Sequence, residues 1–170
     1  SHGRPVNHHL GISAFAEYAT VSRRSLIKID KDLAFEHAAL FGCAVLTGVG
    51  AITNCDAVRP GSTLAVVGLG GVGMAGLLGG VAVGAARIIA VDLSPDKREF
   101  AKKLGVTEVF DAAESDVVDK IREATQGGVD VALEAAGVVS ALELAYRITR
   151  RGGSTITVGL PAPNLKLSIN

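Results

Sequence analysis

The sequence has 170 residues, of which 48% are hydrophobic, 20% charged and only 4% aromatic, with no Trp. That composition excludes a disordered chain and a disulfide-stapled mini-protein, and a chain of this length can bury about 70% of its unfolded surface as one ordinary domain. Seventeen Lys and Arg balance seventeen Asp and Glu, so there is no excess of positive charge for a nucleic-acid backbone.

In chain order, Phe15 to Val21 and Ser25 to Ile29 read as short strands around the polar turn Ser22-Arg23-Arg24. Phe35 to about Thr53 is apolar, has no charge after Glu36, and predicts one or two buried helices. Arg59-Pro60-Gly61 is turn chemistry. A regular rhythm follows. Thr63-Leu64-Ala65-Val66-Val67 is an unbroken apolar run, as a strand covered on both faces requires. A glycine turn and a helix to about Val83 come next, then a strand over Arg87 to Asp92. Ser94-Pro95 predicts a helix start, with Ser as cap, Pro in the first turn and Asp96 behind it. That helix is expected to stop at Leu104-Gly105. A short strand, Glu108-Val109-Phe110, leads to a helix from about Asp116 to Ala124. Val129 to Glu134 is a fourth strand. A helix near Ser140 to Thr149 is expected to close at Gly152-Gly153, before a fifth strand over Ser154 to Val158. Five alternations of strand and helix predict a doubly wound, parallel α/β sheet with its ligand at the carboxyl ends of the strands.

Glycine is the compositional outlier at 21 residues, nine of them between Gly61 and Gly84. The first strand runs into Gly68-Leu69-Gly70-Gly71-Val72-Gly73, a G-x-G-x-x-G placed between a strand and a helix. In such a loop Gly68 permits the turn, Gly70 leaves room for a pyrophosphate, and Gly73 lets the helix pack on the strand. The amides of Gly71 and Val72 then open the helix, where free N–H groups and the dipole favour an anion. Asp92 ends the second strand, 19 residues after Gly73. A carboxylate there accepts hydrogen bonds from the adenosine ribose and repels a 2′-phosphate, which favours NAD over NADP. The alternative for Asp92 is a strand-end residue that caps the turn to Ser94. Pro60 to Ala86 carries no charge, and Gly76, Gly80 and Gly84 repeat as GxxxG, so a membrane helix is the competing reading of this stretch. Its glycine density and β-branched opening argue against one continuous helix.

The two cysteines, Cys43 and Cys55, form no CxxC pair, and no secretory signal is present. A reduced, cytoplasmic protein is the expectation. The chain opens Ser1-His2-Gly3 without Met and stops at Leu165 to Asn170 in sequence with ordered character, so both ends are expected to be cuts within a longer protein.

Several of these stretches together resemble the zinc-dependent, medium-chain alcohol dehydrogenase family. They are Leu40 to Gly50, Val58-Arg59-Pro60-Gly61, Val66 to Gly73, Gly127 to Gly137, Val158-Gly159-Leu160-Pro161 and, near the start, Ser13 to Tyr18. The resemblance implies a partial catalytic (GroES-like) domain segment over 1–40 and a Rossmann NAD-binding domain over 41–170 that lacks its last strand. It also implies roles. Cys43 matches a cysteine ligand of the catalytic zinc, and Thr47 matches a residue beside the nicotinamide. Lys97 matches a contact to the adenosine ribose, while Ala135, Val158 and Leu160 match positions lining the nicotinamide side. The bland readings stand beside these: a buried inert Cys, a helix Thr bonded to its own backbone, a solvated Lys, and sheet core. Cys55 matches nothing and is expected to pack. His8, His9 and His37 match no zinc ligand, and the family's remaining zinc ligands and proton relay have no counterpart in these residues.

The resemblance thus implies a parent enzyme that moves a hydride between a small alcohol or aldehyde and NAD, with zinc in the whole protein, as a homo-oligomer without nucleic-acid or membrane partners. This chain alone is expected to be inactive. The competing readings are a non-catalytic NAD-sensing module and a zinc-free medium-chain reductase.

Overall fold

The computed structural model describes residues 16–55 and 57–168. The chain divides into two compact units, Ser1–Ala38 and Ala39–Asn170. In the first unit, the expected strands over 15–21 and 25–29 do not form among the described residues; a 3-10 turn, Arg23–Ser25, takes their place. Ser22 Oγ accepts the Arg24 N–H at 3.3 Å, and Asp30 Oδ1 accepts the Asp32 N–H at 3.0 Å. Side chains that bond their own backbone compete with an extended ladder, and no partner strand offsets them among the described residues. Phe15, the Ser13–Phe15 part of the resemblance and His8-His9 lie outside the described residues.

The expected helical stretch is present as α1 (Phe35–Leu40), a π-helical turn (Phe41–Val45) and α2 (Leu46–Thr53), but it is not buried as expected: α1 and the π-helical turn hold no buried residue. By length and composition Phe35–Thr53 is apolar enough to cross a membrane. In the second unit α2 turns Gly48, Ala51 and Ile52 inward. Pro60–Ala86 does not form one helix. It divides into β1 (Thr63–Val67) and α3 (Gly71–Val83). A 13-residue helix such as α3 is only about 20 Å long.

Next come β2 (Arg87–Asp92), α4 (Pro95–Lys102), β3 (Glu108–Asp111), α5 (Val117–Ala124), β4 (Val129–Glu134), α6 (Val139–Ile148) and β5 (Thr149–Thr157). Ser94 Oγ accepts the Lys97 N–H at 3.4 Å, so the Ser-Pro start of α4 works as its chemistry predicts. The strands form one five-stranded sheet in the order β3-β2-β1-β4-β5, and every pairing is parallel. Period-two alternation divides their side chains between two cores. Leu64, Val66, Ile88, Ala90 and Leu133 pack with Ile52 and Leu77 on one face. Ala65, Val67, Ile89, Val91 and Ala132 pack with Ile121, Ala145 and Ile148 on the other.

One boundary differs from expectation. α6 stops at Ile148 and β5 starts at Thr149, so Gly152-Gly153 lie inside the strand instead of closing the helix. Thr149 Oγ1 reaches back to the Ala145 carbonyl at 2.8 Å and also meets Thr155 Oγ1 at 2.9 Å. The β4–β5 register shifts between Val129 and Val131, and the glycines absorb the irregularity.

Candidate cofactor site

Chain order turns back between β1 and β4, which are neighbours in the sheet although two strands intervene in sequence. At such a switch point the loops leave in opposite directions and open a crevice at the strands' carboxyl ends. The glycine loop lies there. Gly68 has φ +95°, and an added Cβ would stand 2.6 Å from the Ala136 nitrogen, so both conformation and space require glycine. A Cβ on Gly73 would collide with the Gly68 carbonyl, which lets α3 start directly against the turn. Gly70 is the helix cap without a side-chain cap bond, and a Cβ there would meet nothing within 4 Å. Its open side therefore faces a space where the first-turn amides of Gly71, Val72 and Gly73 have no carbonyl one turn back to accept from them.

Beside the loop is a cavity of about 420 Å³ lined by Gly68, Leu69, Gly70, Asp92, Leu93, Lys97, Ala112, Ala135, Ala136, Val138 and Ser140, among others; Gly71, Val72 and Gly73 are not in its lining. Of the residues singled out from sequence, Gly68, Gly70, Asp92, Lys97 and Ala135 line it together. Thr47 is half-buried in α2 and is not part of this wall, nor is Val158. Leu160 is 93% exposed. The lining residues missed from sequence include Leu69, Leu93, Ala112, Ala136, Val138 and Ser140; Leu93 directly follows Asp92, and Val138 follows the β4 turn. A larger cavity of about 830 Å³ runs along α5, α6 and the open edge of β5, with Arg122, Arg147, Arg150 and Arg151 in its walls. It reaches the carboxyl end of β5 at Thr157 but includes neither the glycine loop nor Asp92, so the smaller cavity is the better candidate.

Asp92 does more than face the cavity. Its Oδ2 accepts the Leu69 N–H at 2.6 Å and its Oδ1 accepts the Ser94 N–H at 2.8 Å. Lys97 Nζ stands 3.9 Å from Oδ2. Arg98 donates to the Asp92 carbonyl at 2.7 Å and to Asp111 Oδ2 at 2.9 Å, tying the ends of β2 and β3 together. An ionised carboxylate has about four acceptor positions, so two remain for hydroxyl groups of a ligand. At the opposite end of the sheet, Asp130 Oδ2 accepts the Thr63 N–H at 2.6 Å and Oδ1 accepts from Arg150 at 2.7 Å. The Thr63 amide, and then Arg150, hold the Asp130 carboxyl below the ordinary value of 3.8.

The loop, the helix N-terminus and the paired carboxylate fit a dinucleotide. The described residues do not make a zinc site. Cys43 and Cys55 are both exposed, which corrects the expectation that Cys55 packs. No three His, Cys, Asp or Glu side chains converge among the described residues. A catalytic zinc takes three protein ligands.

The fold and this crevice define a Rossmann-like α/β domain. Residues 71–170 match the family model for zinc-binding dehydrogenases, and the chain belongs to that family. It is 40% identical over 157 residues to the probable S-(hydroxymethyl)glutathione dehydrogenase 1 of Schizosaccharomyces pombe, covering 91% of this chain and 42% of that protein. Among solved structures it resembles an alcohol dehydrogenase zinc-binding domain protein from Burkholderia ambifaria, at 39% identity and TM-score 0.88, over 94% of this chain and 43% of that one. It also resembles benzyl alcohol dehydrogenase from Acinetobacter calcoaceticus, at 37% identity and TM-score 0.85, over 94% and 44%. The chain therefore spans less than half the length of these relatives.

Proposed function

We propose that residues 41–170 are the NAD-binding domain of a zinc-dependent alcohol dehydrogenase and that 1–40 belong to its catalytic domain. The observation that carries this reading is the glycine loop opening, at Gly70, onto a cavity that Asp92 also lines. In the whole enzyme, bound NAD would accept a hydride from a small alcohol, or its reduced form return one to an aldehyde. This chain's residues do the holding. The first-turn amides of α3 take the pyrophosphate, the free acceptor positions of Asp92 take the adenosine ribose hydroxyls, and Lys97 flanks that sugar. The Asp92 carboxylate repels a 2′-phosphate, so NAD is preferred to NADP.

Thr47, Ala135, Val158 and Leu160 are assigned to the nicotinamide side. Cys43 would be one thiolate of a zinc site whose other ligands lie outside the described residues. One thiolate does not hold a catalytic zinc, so this chain alone is expected to bind dinucleotide without turning over an alcohol. A cytoplasmic, homo-oligomeric parent completes the reading; exposed unpaired cysteines suit a reducing compartment.

Titration calorimetry of the purified chain with NAD, NADP and ADP tests it. Saturable one-site binding with NAD tighter than NADP is expected. A folded sample that binds neither ADP nor NAD would overturn the reading.

A further inference from the structure

At the carboxyl end of β4 a carboxylate is shut inside the protein. Glu134 is 1% exposed and is the buried charged residue among those described. Its Oε1 accepts the N–H groups of Ala136 at 2.8 Å and Gly137 at 2.6 Å. Its Oε2 accepts the Thr157 hydroxyl at 2.7 Å. Main-chain bonds run beside these, with Ala135 N–H donating to the Val67 carbonyl at 2.8 Å and Val158 N–H to the Glu134 carbonyl at 3.0 Å. Space around the carboxylate is tight. A Cβ on Gly159 would stand 2.6 Å from Oε2. Taking a carboxylate out of water is costly, and an apolar side chain at a strand end carries no such cost. What the carboxylate does and an apolar side chain cannot is accept from three donors at once, two on the turn after β4 and one at the end of β5. Ala135 and Ala136 of that turn line the cavity, while Val158 and Leu160 follow directly on Thr157.

We propose that Glu134 is a positioning residue whose carboxylate sets the spacing between the Ala135–Gly137 turn and the Thr157–Gly159 end of β5, and so shapes the wall that receives the nicotinamide half of the dinucleotide. This rests on the dinucleotide reading given above. It assigns a role to a side chain that touches no cofactor atom itself. Without the carboxylate both segments lose their common acceptor and the wall relaxes. The pyrophosphate end, held by the helix amides, keeps its own geometry.

The test compares ADP, ADP-ribose and NAD as calorimetric ligands of the 170-residue chain, because NAD differs from ADP-ribose by the nicotinamide. In Glu134→Ala, NAD affinity is expected to fall about tenfold, the scale of one lost charge-assisted hydrogen-bond set, while ADP affinity stays within about twofold. Glu134→Gln should recover most of the loss. Its amide oxygen can face Ala136 and Gly137, and its NH₂ can donate to Thr157 Oγ1. Should Glu134→Ala fail to fold, Thr157→Val, which removes one donor, is expected to show the same split on a smaller scale.

Equal losses for ADP and NAD would overturn the proposal, as would a lower melting temperature with every affinity unchanged. A wild-type chain that binds NAD no better than ADP-ribose would overturn it too. Failure of the wild-type chain to bind even ADP is a different outcome, which sinks the dinucleotide reading and this proposal with it.

Discussion

Replacing Asp92 by Ala removes two kinds of interaction, and they are separable by measurement. In the free chain the carboxylate accepts the Leu69 and Ser94 amides at 2.6 and 2.8 Å. Leu69 is 2% exposed, so its amide loses an acceptor that water cannot easily replace. That loss falls on stability and is about 1–3 kcal/mol for a buried donor left unmade. In the complex the same carboxylate would also accept from ribose hydroxyls. Hydrogen bonds to a charged group contribute about 1.5–3 kcal/mol, so NAD should bind roughly 10- to 150-fold more weakly in Asp92→Ala. NADP should respond differently. The wild-type carboxylate would oppose a 2′-phosphate bound there, and Lys97 Nζ, 3.9 Å from Oδ2, is partly neutralised by that carboxylate. With Asp92 gone the lysine is released to face a phosphate. NADP affinity is expected to hold or rise, and the preference for NAD should shrink by at least tenfold. Calorimetry with both cofactors at one fixed ionic strength, beside thermal unfolding of each variant, reads both effects. If NAD and NADP weaken in parallel, or NAD binding is unchanged within twofold while the protein is merely less stable, Asp92 is only a brace for the loop and the ribose assignment is wrong.

Two glycines of the loop should separate binding from folding. Gly70→Ala adds a Cβ that meets no protein atom, so stability should change by no more than about 1 kcal/mol, the scale of a weaker cap, while NAD affinity falls at least tenfold. Gly73→Ala drives a Cβ into the Gly68 carbonyl and should be destabilising by about 1–3 kcal/mol or more, the cost of overpacking. Chemical denaturation and calorimetry on the pair check this, and similar behaviour of the two variants would count against the placement of Gly70 on the open side. Asp130 predicts an acid dependence. Its folded value lies below 3.8, so its contribution is complete above that ordinary value and is lost as pH falls through it toward the lower folded one. Asp130→Asn should therefore be less stable than wild type at neutral pH, and the two stability curves should converge as pH falls below 3.8 and through the lower folded value. Curves that stay parallel throughout the acid range would show that Asp130 does not contribute in this way.

Much of the framework is readable in the residues because it depends on neighbours along the chain. The run Thr63–Val67, the Ser94-Pro95 start of α4, and G-x-G-x-x-G between strand and helix each state a local preference, and each forms where expected. The same reasoning misplaced the strands near Ser22 and the start of β5. At Ser22 a side chain bonding its own backbone displaced an extended segment with no partner. At Thr149 pairing with β4 drew residues into the sheet that local glycine chemistry assigned to a helix end. Thr47, Val158 and Leu160 were singled out by resemblance alone, and no local pattern says whether they reach the cavity.

What the amino-acid order decided by itself is the sequence of elements and the chemistry of the glycine turn, since hydrophobic period, caps and glycine conformations act within a few residues. The tertiary structure alone decided what the carboxylates do. Leu69 meets Asp92, and Thr157 meets Glu134, each across 23 residues of chain. Such pairs exist only after parallel strands have aligned and closed the water out around them, and no pattern of neighbours along the chain encodes that alignment.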